Sequence, residues 1–95
     1  MSHRISYDKD WYFFIVRCRD NSLYSGIATD VDDRVREHNR GTGAKYTSGR
    51  RPVTLVYSEK FHNASQARKR EWQIKNWSKV KKEQLILGFP RLRSE

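Results

Sequence analysis

The apolar positions change period several times along the chain, and each change marks an element. From Trp11 to Cys18 the residues WYFFIVRC form an apolar, β-branched run that predicts a buried strand. RDNS supplies turn chemistry, with Asp20 and Asn21 as its central residues. SLYSGIA then predicts a second strand, and the short link makes the pair an antiparallel hairpin. In TDVDDRVREHN the period lengthens to that of a helix. Thr29 is placed to cap it, Asp32 stands at the capping-box position, and Asp30, Asp32 and Asp33 suit its positive end. The helix is expected to stop near Asn39, where NRGTGAKYTSGRRP reads as a long loop rich in glycine and cations. VTLVYSE, from Val53 to Glu59, predicts a third strand. Asn63, with Gln66 three residues on, starts a further helix, and Ser78 caps a last short one through about Leu87. The outline, β-β-α-β-α-α, predicts an α/β (α+β) fold: a small three-stranded antiparallel sheet flanked by helices. One domain over residues 10–86 is expected, with a disordered leader over 1–9 and a frayed tail over 87–95.

Three polar groups interrupt this pattern where apolar residues would be expected. In the helix that starts at Asn63, residues Ala64, Ala67, Glu71 and Ile74 fall in one stripe, with Trp77 at its margin. Glu71 is the single acid among Arg68, Lys69, Arg70 and Lys75, yet it sits on the inward stripe. In the first helix Val31 and Val35 set the buried side, and Arg34 and His38 lie along that same side. A buried charge is costly unless paired. The helices alone therefore leave two readings: a structural Arg34–Glu71 salt bridge, or a functional site. In the second strand Gly26 lies two residues from Tyr24 on the same face, which places a phenol beside an open space or marks a bulge with Tyr24 at an aromatic core edge.

Composition narrows the class of partner. Ninety-five residues make one small domain, and at 36% hydrophobic the core is lean, but three Trp, five Tyr and four Phe supply large buried area. The net charge of +9 implies a polyanion, most often nucleic acid. No transmembrane run, signal peptide or lipidation motif is present, so no membrane association is expected. Cys18 is the only cysteine, which excludes an intrachain disulfide and fits the cytoplasm. His3, His38 and His62 lie far apart, so no structural zinc site is expected. In the loop, Lys45, Tyr46, Arg50 and Arg51 suit a nucleic-acid backbone, as do Arg68 and Lys75 on the later helix, against the alternative of solvated surface. Together, a phenol, a guanidinium, an imidazole and an inward carboxylate on a basic body are close to what phosphodiester hydrolysis requires, the carboxylate holding Mg²⁺.

These residues resemble a known family. FFIV, then LYSGIATDVDDRVREHN, then ARKREWQIK are similar to the GIY-YIG endonuclease superfamily, especially its short stand-alone bacterial members, over roughly Asp10 to Ile86. The resemblance implies a central three-stranded antiparallel sheet and a one-metal mechanism with Mg²⁺ or Mn²⁺. Tyr24 would activate or orient the attacking water, Arg34 would stabilise phosphoryl charge, His38 would assist proton transfer or orient the water, and Glu71 would bind the metal between its helix and the sheet. The sequence departs from the family at Phe14, where the first motif normally ends in Tyr. Tyr12 lies two residues earlier on the same face, roughly 6–7 Å away. The leading expectation is a divalent-metal-dependent DNA endonuclease with little sequence specificity of its own. Specificity would come from a protein partner or DNA shape, and a monomer is expected. The alternatives are a nucleic-acid-binding module of the same fold with weak or no catalysis, and a protein-interaction adaptor.

Overall fold

A computed structural model describes residues 9–88. The leader expected over residues 1–9 and the tail expected over 87–95 lie outside the described residues, apart from Lys9, Leu87 and Gly88. The apolar run forms β1 (Trp11–Arg17) and SLYSGIA forms β2 (Leu23–Ala28). Between them Asn21 adopts a positive φ of 73°, and Asp20 Oδ1 accepts from the Ser22 amide at 3.1 Å. That left-handed residue closes the hairpin. The helix α1 (Val31–Arg40) follows, then a short α2 (Lys45–Ser48), β3 (Thr54–Phe61), α3 (Ala64–Lys75) and α4 (Lys79–Leu87).

The sheet order is β2-β1-β3, all antiparallel, with β1 in the centre. The central position explains why WYFFIVRC is apolar on both faces. Phe14, Val16 and Cys18 pack with Ala28, Tyr24, Val31 and Val35 on the face covered by α1. Phe13 and Ile15 pack with Tyr57, Ile74, Trp77, Leu85 and Ile86 on the face covered by α3 and α4. A bulge in the β1–β3 register between Ile15 and Val16 keeps Tyr57 and Leu55 on their respective faces.

Three sequence expectations are corrected. The cap of α1 is Asp30, not Thr29: Asp30 is extended, and its Oδ1 accepts from the Asp33 amide at 3.0 Å. The stretch expected to be an open loop folds partly as α2, docked against α1, so the element order is β-β-α-α-β-α-α. α1 ends at Gly41, whose φ of 88° fits the left-handed turn that reverses the chain there. Asn39 then fastens the return by bonding both the amide and carbonyl of Val53 at 2.6 and 2.9 Å. Of the two readings of Gly26, neither the open space nor a bulge is formed, while Tyr24 does pack at an aromatic edge of the core. Phe14 pairs directly across from Gly26, and a Cβ at Gly26 would lie 3.1 Å from the Phe14 Cζ. Gly26 is there to admit that ring.

Asn63 and Ser78 cap α3 and α4 as expected, accepting from the amides of Gln66 and Lys81. In α3, Ala67 and Ile74 are fully buried, and Ala64, Glu71 and Trp77 are half-buried, so the helix lies on the predicted stripe.

Candidate functional site

His38 is the centre of the site. Its ring is fully buried in the last turns of α1, under α2. The Tyr24 ring meets it edge-on at 5.2 Å between centroids, and Phe14 meets it at 6.3 Å. On the α2 side the backbone of Gly43 presses on the imidazole so closely that any Cβ there would collide with Nδ1 and Cγ. That contact requires glycine.

The His38 tautomer follows from one hydroxyl. Thr47, also fully buried, places Oγ1 2.7 Å from His38 Nδ1 and 3.1 Å from the Ala44 carbonyl. A carbonyl only accepts, so the Thr47 proton goes to Ala44 and Oγ1 accepts from Nδ1–H. The lone pair is therefore on Nε2, which is buried and has no hydrogen-bond partner among the described residues. Burial pushes the His38 pKa below its ordinary 6.5, the Arg34 charge pushes it further down, and Glu37 opposes. The ring is thus a neutral imidazole with one bare basic nitrogen.

Around it, the sequence-predicted residues divide into those brought together and those kept apart. Tyr24 stacks on Tyr46 of α2 at 5.8 Å and 18°, and the Arg50 guanidinium lies over the Tyr46 ring at 3.8 Å. The Tyr24 hydroxyl has no hydrogen-bond partner among the described residues. Arg34, one turn before His38, pairs with Glu37 at 2.6 Å and reaches the Gly43 carbonyl at 3.4 Å. The structural Arg34–Glu71 bridge is not formed. Arg34 and Glu37 also line a cleft of about 270 Å³ with Trp11, Ile27, Ala28 and Asp33, beside the C-terminal end of β2.

Glu71 is on the other face, in the stripe with Ala67 and Ile74. It is half-buried and forms no ion pair or hydrogen bond with any described residue. It does not line the cleft of Arg34 and Glu37, although α3 packs chiefly over β1 and the edge strand β2. Among the described residues no three His, Cys, Asp or Glu side chains converge to hold a metal. An unpaired carboxylate fits Mg²⁺ or Mn²⁺ held by one protein ligand, because Mg²⁺ usually keeps several waters and takes only one or two carboxylates. Tyr12 is half-buried, opposite Ala28 and Lys60 in the sheet.

The cations chosen as nucleic-acid contacts differ in freedom. Arg50 is engaged with Asp20 at 3.1 Å and with the Tyr46 carbonyl and ring, and Arg51 donates to the Ser48 carbonyl. Lys45, Arg68 and Lys75 are exposed with no carboxylate partner among the described residues. Two residues of the site, Thr47 and Glu37, escaped the sequence reading. Glu37 was legible as an i,i+3 partner of Arg34. Thr47 had no signal, because it reaches His38 only through the fold of α2.

The profile of the GIY-YIG catalytic domain matches residues 10–84. A UPF0213 protein of Staphylococcus saprophyticus is 55% identical over 75 residues, covering 79% of this chain and 92% of that one. A UPF0213 protein of Staphylococcus haemolyticus is 52% identical over the same shares. The solution structure of the UPF0213 protein of Bacillus halodurans superposes with a TM-score of 0.55 at 43% identity, over 86% of this chain and 89% of that one. A protein of E. faecalis gives 0.59 at 43% identity, over 86% and 88%.

Proposed function

The chain belongs to the GIY-YIG catalytic domain family, and from that premise we propose that it is a divalent-metal-dependent endonuclease that hydrolyses DNA phosphodiester bonds with little sequence specificity of its own. The observation that supports this reading most is the contact between Tyr24 and His38, with Arg34 one turn along the same helix. Residues distant in the chain are assembled there with their reactive atoms unused: a free phenol and a bare imidazole nitrogen.

In this mechanism Tyr24 holds the attacking water through its hydroxyl. The fully buried His38 acts on Tyr24, which it touches, rather than on bulk water, and its low pKa keeps it neutral and able to accept a proton near neutral pH. Arg34 turns from Glu37 to the phosphate, where a guanidinium matches two oxygens at once. Glu71 would hold the metal, which when bound supplies positive charge against the developing phosphoryl charge. Tyr46 and α2 shield the Tyr24–His38 contact.

The test is cleavage of supercoiled plasmid and of branched DNA in Mg²⁺, Mn²⁺ or EDTA, with Glu71→Ala purified in parallel. Glu71 has no partner among the described residues, so the variant should fold normally and bind DNA while losing cleavage by on the order of 10²–10³-fold. Full activity in Glu71→Ala would sink the assignment of the metal.

One observation favours a second reading, a nucleic-acid-binding module with weak or no catalysis. Phe14, fully buried against Gly26 and beside His38, carries no hydroxyl where the family's first motif has Tyr. Under that reading DNA is bound without cleavage in any metal, and Phe14→Tyr is the variant in which cleavage appears.

A further inference from the structure

The outer face of α3 carries a feature that the cleavage site does not use. Trp72 is 68% exposed, a large aromatic ring left in solvent, whereas Trp11 and Trp77 are half-buried. Ser65, Arg68, Lys69 and Trp72 follow at i, i+3, i+4 and i+7, so they form one stripe on the helix. They line a shallow groove of about 460 Å³. Lys69 also lines a neighbouring groove of about 620 Å³ with Phe61, Gln66, Arg70 and Gln73.

Neither groove is lined by a carboxylate. Arg70 is neutralised by Glu59 at 2.9 Å, but Arg68 and Lys69 have no acidic partner among the described residues. Lys75, one turn beyond Trp72, adds a third cation without an acidic partner among the described residues. The surface therefore offers an aromatic plane with positive charge on either side, and the acid that neighbours it on the helix, Glu71, is half-buried.

We propose that this face of α3 is a binding site for single-stranded nucleic acid, with an unpaired base stacked on Trp72 and the flanking phosphates on Arg68, Lys69 and Lys75. A duplex covers the faces of its bases except at its ends, so an exposed ring selects a base that is already unpaired. The charge around Trp72 distinguishes this surface from an apolar protein interface, whose centre is depleted of charge. Glu71 borders this stripe on α3, three residues after Arg68 and four before Lys75, but it is half-buried where Trp72 is exposed. The site rests on the reading of the partner as nucleic acid and is independent of cleavage. In an enzyme that cuts branched or flapped DNA, it would hold the free strand.

The experiment titrates the whole protein, in EDTA, with a labelled single strand of about 12 nucleotides and with a blunt duplex of equal length, sizes within the range of small single-strand sites. Fluorescence anisotropy gives affinity, and tryptophan emission gives stacking. The single strand should quench the emission in wild type, and Trp72→Phe should lose the quench while keeping affinity. Trp72→Ala should bind the single strand roughly 10- to 100-fold more weakly, as loss of one stacked base implies, with little change on the duplex. Equal weakening on both ligands, or no weakening on either, overturns the proposal while leaving the nucleic-acid reading intact. No binding of either ligand by wild type defeats both. Sedimentation of the free protein completes the test: a dimer that Trp72→Ala dissociates would assign this face to a second copy of the chain and overturn the proposal.

Discussion

Thr47 lies nine residues after His38, yet its one hydroxyl decides which imidazole nitrogen is basic. Removing it while keeping its shape, as in Thr47→Val, leaves a buried Nδ1–H unpaired. The variant should unfold about 1–3 kcal/mol more easily in urea, and Thr47→Ser should recover most of that. The pH dependence of stability belongs to the same pair. Folding lowers the His38 pKa below its ordinary 6.5, so in the interval beneath 6.5 the unfolded chain binds the proton that the folded chain refuses. Stability contributed by the neutral ring is complete above 6.5 and is lost as pH falls through the interval. Urea midpoints should therefore be level near neutrality and decline toward about pH 5. A flat profile in wild type, or an unchanged decline in His38→Gln, would assign the dependence elsewhere.

Among elements, α4 is held differently from α3. α3 sinks Ala67 and Ile74 completely into the molecule, whereas α4 has no fully buried residue and rests Leu85 and Ile86 partly against the Phe13–Ile15 cluster. Its anchor is Glu83, which takes two hydrogen bonds of 2.7 Å from the Arg17 guanidinium at the end of β1. Arg17 thereby holds the Glu83 pKa below its ordinary 4.5. Both side chains are about one-third exposed, so solvent screening limits the pair. Glu83→Gln should cost about 0.5–1 kcal/mol near neutral pH. Because the folded carboxylate is the more acidic one, that contribution is full above 4.5 and disappears as pH falls through the lower folded value. Wild type and variant should thus converge in acid, which denaturation at two pH values would reveal.

At the scale of the whole molecule the net charge of +9 sets attraction to a polyanion, but position decides which cations contribute. Lys45 and Lys75 have no acidic partner among the described residues, whereas Arg50 is committed to Asp20 and Tyr46. If the partner is duplex DNA, replacing both lysines by alanine should lower the slope of log affinity against log salt by about 1.8, two phosphate contacts at about 0.9 each. Arg50→Ala should leave that slope nearly unchanged and instead loosen α2. An equal effect of the three cations would mean that the field is diffuse and that no contact is local.

The periods of the chain were enough to determine the sheet, the three longer helices and the side of α3 that Glu71 occupies, because burial of one stripe or one face is a local property of the pattern. Asn63 and Ser78 were legible as caps because a cap bonds only to its own first turn. Tertiary structure alone decided the rest. Gly26 could mark an opening beside Tyr24 or a bulge until the register set Phe14 against it, and register depends on the pairing of two strands. Arg34 found its partner one turn away, not in the distant Glu71. α2, the Tyr24–Tyr46–Arg50 stack and the Thr47–His38 bond arise because the segment after α1 folds back over it, and no period within GTGAKYTSGRR encodes that return. Chemistry of this kind lies in contacts between segments, whereas sequence patterns report only how each segment faces the core.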